Sequence, residues 1–109
     1  MPKGILYVET RPLPGHEDEY HKWYENTHIP QLQEIPGVVG ARRYSLAGGG
    51  FGPADPSIPA HLAIYELEGD DLEAVVQEIA TRSGDGRVEM SDAIQLDPPP
   101  VTLLYVERD

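Results

Sequence analysis

Tyr20, Tyr24 and His28 recur at four-residue intervals, with Trp23 and Thr27 beside them. On a helix that spacing places all five on one broad face. Two phenol hydroxyls and an indole are an unusual choice for a dry core, because each polar tip needs a partner. Apolar walls with a few converging polar groups describe a small-molecule pocket instead. His28 is the member suited to move a proton near neutral pH. It precedes Ile29-Pro30, where a helix is expected to break, and a helix carboxyl end favours imidazolium. That would bring its charge change closer to working pH. The plain alternative is a histidine that hydrogen-bonds a free carbonyl near the kink. On the other side of this helix, Glu17, His21 and Glu25 read as a solvated row of charge.

Alternation along the strands supplies further candidates. Ile5, Tyr7 and Glu9 point one way and Leu6, Val8 and Thr10 the other. Arg42 and Tyr44 share a face opposite Arg43, and His61, Ala63 and Tyr65 share another. The polar-tipped sets read as cavity walls, with Leu6, Val8, Leu62 and Ile64 on the drier side; periodicity does not say which face meets the helices. Either arginine can hold a carboxylate or enolate, or pair with Glu9 or Glu66 across the sheet. Glu9 beneath the helices would be a base of raised pKa; facing outward it is ordinary solvated charge. Candidate catalytic residues are therefore His28, Tyr24 and Tyr65, and candidate binding residues are Tyr7, Glu9, Tyr20, Trp23, Arg42, Tyr44 and His61.

The elements that must position these groups are punctuated by eleven Gly and eleven Pro. Ile5 to Thr10 reads as a strand, and Glu17-Asp18-Glu19 supplies the acidic first turn of a helix running to about His28. Pro30 calls for a kink or a fresh short turn. Val38 to Leu46 is the second strand. Ala47 to Pro59 is a long Gly- and Pro-rich loop that suggests a lid. Ala60 to Leu67 is the third strand. Asp70 with Glu73 resembles a capping box, and Leu72, Val75, Val76 and Ile79 form the apolar stripe of the second helix. Val88 to Leu96 fits either a short helical turn or a loop, and Val101 to Val106 is the last strand. The order β-α-β-β-α-β predicts one α+β, ferredoxin-like domain over residues 1–109, with a four-stranded antiparallel sheet and both helices on one face. Its bare sheet face is expected to find a second copy, giving a homodimer.

Composition excludes much. Eight Lys+Arg against 19 Asp+Glu give a net charge of −11, which disfavours nucleic acid and anionic membrane surfaces. The absence of cysteine removes disulfides, thiolate nucleophiles and sulfur-based zinc sites. The four histidines are too dispersed to indicate a metal, and no His-Glu-x-x-His occurs. Gly48-Gly49-Gly50-Phe51-Gly52 is followed by neither Gly-Lys-Ser/Thr nor a helix, so it is no phosphate loop. No dinucleotide fingerprint or nucleophile elbow is present. The amino-terminal residues resemble neither a signal peptide nor a span, so a cytoplasmic location is expected.

The runs Glu19-Tyr20-His21-Lys22-Trp23-Tyr24, Thr27-His28-Ile29-Pro30, Ile35-Pro36-Gly37-Val38 and Arg42-Arg43-Tyr44 lie in one stretch that spans about a quarter of the chain. Together they resemble the dimeric α/β-barrel superfamily, and its EthD-like branch most. In that branch the first helix carries a Trp or Tyr pair, then a His-x-Pro step, then Pro-Gly-Val leading into the next strand. The resemblance implies a ferredoxin-like subunit whose sheet pairs with a twin to close a barrel, a ligand cavity between sheet and helices, and His28 as the site histidine. Members include cofactor-free polyketide cyclases, antibiotic-biosynthesis monooxygenases, lactone isomerases and haem-handling proteins. No residue here marks out an iron ligand, and fold does not decide among these chemistries.

The expected function is a cofactor-independent enzyme acting on a small aromatic or polyketide-like carbonyl compound by general acid/base cyclisation, isomerisation or elimination. His28 would transfer the proton, Tyr24, Tyr65 or an arginine would donate to the enolate oxygen, and Trp23 and Tyr20 would stack on the ring. The alternatives are a cofactor-free monooxygenase and a non-catalytic binding protein.

Overall fold

Short β-branched and aromatic segments bounded by Pro and Gly form the strands, and the apolar stripes at helical spacing form the helices that cover them. A computed structural model describes residues 2–108. In chain order these form β1 (Lys3–Thr10), α1 (Glu17–Trp23), one wide π-helical turn (Tyr24–His28), α2 (Ile29–Gln33), β2 (Val38–Ser45), β3 (His61–Glu68), α3 (Leu72–Asp85) and β4 (Val101–Val106). The sheet order is β2-β3-β1-β4, and every neighbouring pair is antiparallel. This is the expected α+β, ferredoxin-like arrangement.

The register decides which side chains meet the helices. Leu6 lies opposite Tyr65 and Leu104, Val8 opposite Ala63 and Thr102, and Thr10 opposite His61. Ala41 and Arg43 pair with Tyr65 and Ala63 from the other side. Leu6, Thr10, Ala63, Tyr65 and Leu67 are all buried, so this is the covered face. Ile5, Tyr7, Glu9, Arg42, Tyr44, Leu62, Ile64, Leu103 and Tyr105 alternate with them and occupy the open face. The expected grouping of all polar-tipped sets on one wall, with Leu6 and Val8 opposite, is thus corrected. Leu6 and Val8 share the covered face with Tyr65; Tyr7, Glu9, Arg42 and Tyr44 do not.

The first helix does not stop at His28. The Ile29 amide donates to the Tyr24 carbonyl five residues back, and His28 keeps helical backbone angles (φ −67°, ψ −54°). Widening the turn just before Pro30 accommodates a residue that has no N–H to give and whose ring crowds the preceding turn. α2 then brings Leu32 and Ile35 into the core, each 1% exposed. Burial of a side chain of this kind contributes roughly 1.5–3 kcal/mol. Gly37 makes the turn into β2 with φ +99°, a backbone conformation in which a Cβ is disfavoured.

α3 is capped by Asp71, not Asp70: its carboxylate accepts from the Ala74 amide at 3.1 Å. With Asp71 at the cap, Ala74 and not Glu73 stands three residues on, so the cap is a single carboxylate and not a capping box. Val88 to Leu96 forms no helix. Instead it folds back along the chain after β1, with the Leu13 amide donating to the Ala93 carbonyl at 2.7 Å and the Gln95 amide to Arg11 at 2.8 Å. Val88, Ala93 and Ile94 are buried by this return.

Candidate active site

Between the covered sheet face and the helices lies a cavity of about 190 Å³. β1 contributes Leu6, Val8 and Thr10 to it, β3 contributes Tyr65, and the first helical run contributes Trp23, Tyr24 and His28. α2 and α3 close it with Leu32 and Ile79, and the returning segment adds Met90, Ile94 and Leu96. The lining is apolar except for a few tips. No residue of the Ala47 to Pro59 loop borders it, so this loop does not cover the cavity as a lid would. Ile58 and Pro59 instead lie beside Tyr7 and Tyr44 at the open face.

His28 is 8% exposed and stacks on Trp23, with ring centroids 4.3 Å apart and planes at 25°. Tyr24 and Tyr65 meet it edge-on at 5.4 and 6.2 Å. Burial lowers its pKa to about 4. The expectation of a histidine shifted towards working pH by a helix end is therefore corrected. The helix continues past His28, so no free carbonyl end faces the ring, and desolvation of the charged form dominates. At neutral pH the imidazole is neutral. Its Nδ1 and the Tyr65 hydroxyl are buried and have no hydrogen-bond partner among the described residues.

The other polar tips each make at least one hydrogen bond. Trp23 Nε1 donates to the Glu89 carbonyl at 2.8 Å, leaving only the indole face for a ligand. Thr10 Oγ1 bridges the hydroxyls of Tyr20 and Tyr24, the latter at 3.0 Å. Tyr20 is fully buried behind this bridge and does not border the cavity. Burial raises the pKa of Tyr24 and Tyr65, so both phenols remain protonated donors.

A second polar cluster backs the aromatic wall. The Arg43 guanidinium stands 4.3 Å from the centroid of the Tyr24 ring and hydrogen-bonds His21 Nδ1 at 3.1 Å. His61 meets His21 edge-on at 4.9 Å and lies 5.5 Å from Tyr20. Its pKa is lowered, first by burial and then by its neighbours His21 and Arg43. His21 is thus half-buried between strands and helix, whereas its helical spacing alone placed it in a solvated row. The β2 arginine and β3 histidine that cover it are distant in sequence and invisible to a helical wheel.

Of the sequence candidates, His28, Tyr24, Tyr65 and Trp23 converge on the cavity, with Tyr20 and His61 behind its wall. Tyr7, Glu9, Arg42 and Tyr44 stand on the opposite side of the sheet. Tyr7 packs on Tyr105 at 6.1 Å, and Arg42 lies 3.9 Å from Glu66 across the strands. The sequence reading missed Thr10, Leu32, Met90 and Leu96 as lining residues. Thr10 carried a signal, since it shares the Leu6–Val8 face; Met90 and Leu96 arrive only through the returning segment. Among the described residues no group of three or more His, Asp or Glu can hold a metal ion, and no helix is long and apolar enough to cross a membrane.

No family model matches the chain, and no curated protein matches it. Two solved structures do. One is an ethyl tert-butyl ether D (EthD) family protein from Bacillus halodurans C-125, 15% identical, covering 100% of this chain and 99% of that chain with a TM-score of 0.57. The other is an EthD-like protein from Ralstonia eutropha JMP134, 14% identical, covering 96% of this chain and 91% of that chain with a TM-score of 0.58. At these identities the likeness is one of backbone architecture. From end to end, the chain has the fold of the EthD-like proteins.

Proposed function

We propose that the chain is a cofactor-independent enzyme that moves a proton on a small aromatic carbonyl compound held between its sheet and helices. The observation that supports this best is the pair of buried, unpartnered polar atoms, His28 Nδ1 and the Tyr65 hydroxyl, on the wall of one apolar cavity. Leaving such groups unpaired costs roughly 1–3 kcal/mol each, a cost a ligand with complementary polar atoms would relieve.

In this reading a ring slides against the Trp23–His28 stack. His28 takes a proton from a carbon next to the carbonyl, while Tyr65 donates to the oxygen on which negative charge develops. The proton then returns to another atom of the same molecule, so the net change is isomerisation or cyclisation. With its pKa at about 4, His28 is in the base form by roughly a thousandfold at pH 7. The same low basicity restricts it to acidic protons, such as those between two carbonyls. The imidazolium that forms lies over the Trp23 face, which favours a cation.

The low basicity also favours a second reading, a non-catalytic carrier of the same ligand. Hydrogen–deuterium exchange at the central carbon of 1-phenyl-1,3-butanedione, followed by NMR, separates them. The enzyme reading expects exchange above the protein-free background, lost in His28→Gln and weakened in Tyr65→Phe. Binding without any excess exchange would leave the carrier.

The open face carries Tyr44, Val101, Leu103 and Tyr105, each at least 41% exposed. We infer that a second copy covers it, so that Tyr7, Glu9, Arg42 and Tyr44 serve the interface and not the cavity.

A further inference from the structure

We propose that the cavity selects an uncharged aromatic molecule presenting a hydrogen-bond acceptor to the Thr10–Tyr24 wall, and rejects the corresponding carboxylate. This inference rests on the small-molecule reading above and specifies its ligand.

Counting protons on the wall carries the acceptor half. Tyr20, Thr10 and Tyr24 have three hydroxyl protons between them and make two mutual hydrogen bonds. One O–H is therefore surplus. Tyr20 is fully buried and its hydroxyl makes no other hydrogen bond among the described residues, so it donates to Thr10. The surplus proton then belongs to Thr10 or Tyr24, both of which border the cavity. Either way the wall offers a donor. A carbonyl oxygen accepts it; a hydrocarbon leaves it unpaired.

The charge half follows from what is missing from the wall. Among the described residues, no Asp, Glu, Lys or Arg borders the cavity. Arg43 is near, but it lies against the Tyr24 ring outside the lining and is already engaged by His21 and by Glu25 at 3.9 Å. An anion entering this space would lose its hydration and touch no cation, which is costly. Tyr65 and His28 complete the complement for a neutral guest, since a ligand hydroxyl can pair with His28 Nδ1.

Isothermal titration at about pH 6 with three probes tests this: 4-hydroxybenzaldehyde, 4-hydroxybenzoate and toluene. The expected result is that the aldehyde binds more than about tenfold tighter than either other probe. The double variant Thr10→Val/Tyr24→Phe should lower aldehyde affinity towards that of toluene, whose own binding reports an intact cavity. If the variant does not fold, the comparison on the unmodified protein still decides. Carboxylate binding as tight as the aldehyde, or toluene as tight as the aldehyde, overturns the selectivity and leaves the small-molecule reading standing. Failure of all three to bind removes both.

Discussion

Replacing His28 by Gln should flatten the acid side of the stability curve by an amount the structure sets. The ring's pKa is about 4 when folded, against 6.5 for an exposed histidine. Below pH 6.5 the unfolded chain takes up a proton here that the folded chain refuses until about pH 4. Folding stability from this group is therefore complete above pH 6.5 and falls as pH drops through the window. The full span is about 3 kcal/mol at 1.36 kcal/mol per pKa unit, and roughly 2 kcal/mol of it is lost between pH 8 and pH 5. Urea unfolding of both proteins at those two pH values measures it, because the 19 carboxylates and the other three histidines contribute equally to each. His28→Gln should lose about 2 kcal/mol less than the unmodified protein on going to pH 5. Equal losses would mean that the ring is hydrated when folded and that the desolvation argument is wrong.

Two other perturbations probe different layers. Thr10→Val, close in shape but without the hydroxyl, strands the buried Tyr20 and Tyr24 phenols and should cost about 2–4 kcal/mol in urea unfolding, more than removal of one ordinary hydrogen bond. Leu103→Glu with Tyr105→Lys places charge on the open face without touching the cavity. Sedimentation equilibrium should show the unmodified chain as a dimer and this variant as a monomer.

The sequence made the element order legible because proline and glycine mark each boundary plainly, from Pro12 to Pro100. The faces were a different matter. On β1 both alternating sets are apolar, Ile5 and Tyr7 against Leu6 and Val8, so alternation alone does not name the covered face. Polar tips were a misleading guide there: they pick the covered face on β3, where Tyr65 lies, and the open face on β1 and β2. The helix-borne part of the site was readable because Tyr24 and His28 are local neighbours. Its electrostatics were not, since they depend on whether the chain carries on past His28. Long-range contacts account for the rest, such as Arg43 over Tyr24 and the return of Ile94 alongside Pro12.

The π-helical turn at Tyr24–His28 has a consequence for how this chain tolerates insertion and deletion. It behaves as a one-residue phase shift between two stretches of helix that serve different neighbours. A turn closed five residues back holds one residue more than an α-turn. Excising a single residue such as Asn26 would let it tighten to α geometry with the downstream stretch near its present phase, whereas the same excision within α1 would roll that stretch by about 100°. Leu32 and Ile35 would then stay on the sheet in the first case and swing off it in the second. The wide turn can give up one residue without rewriting the phase; the regular helix on either side of it cannot.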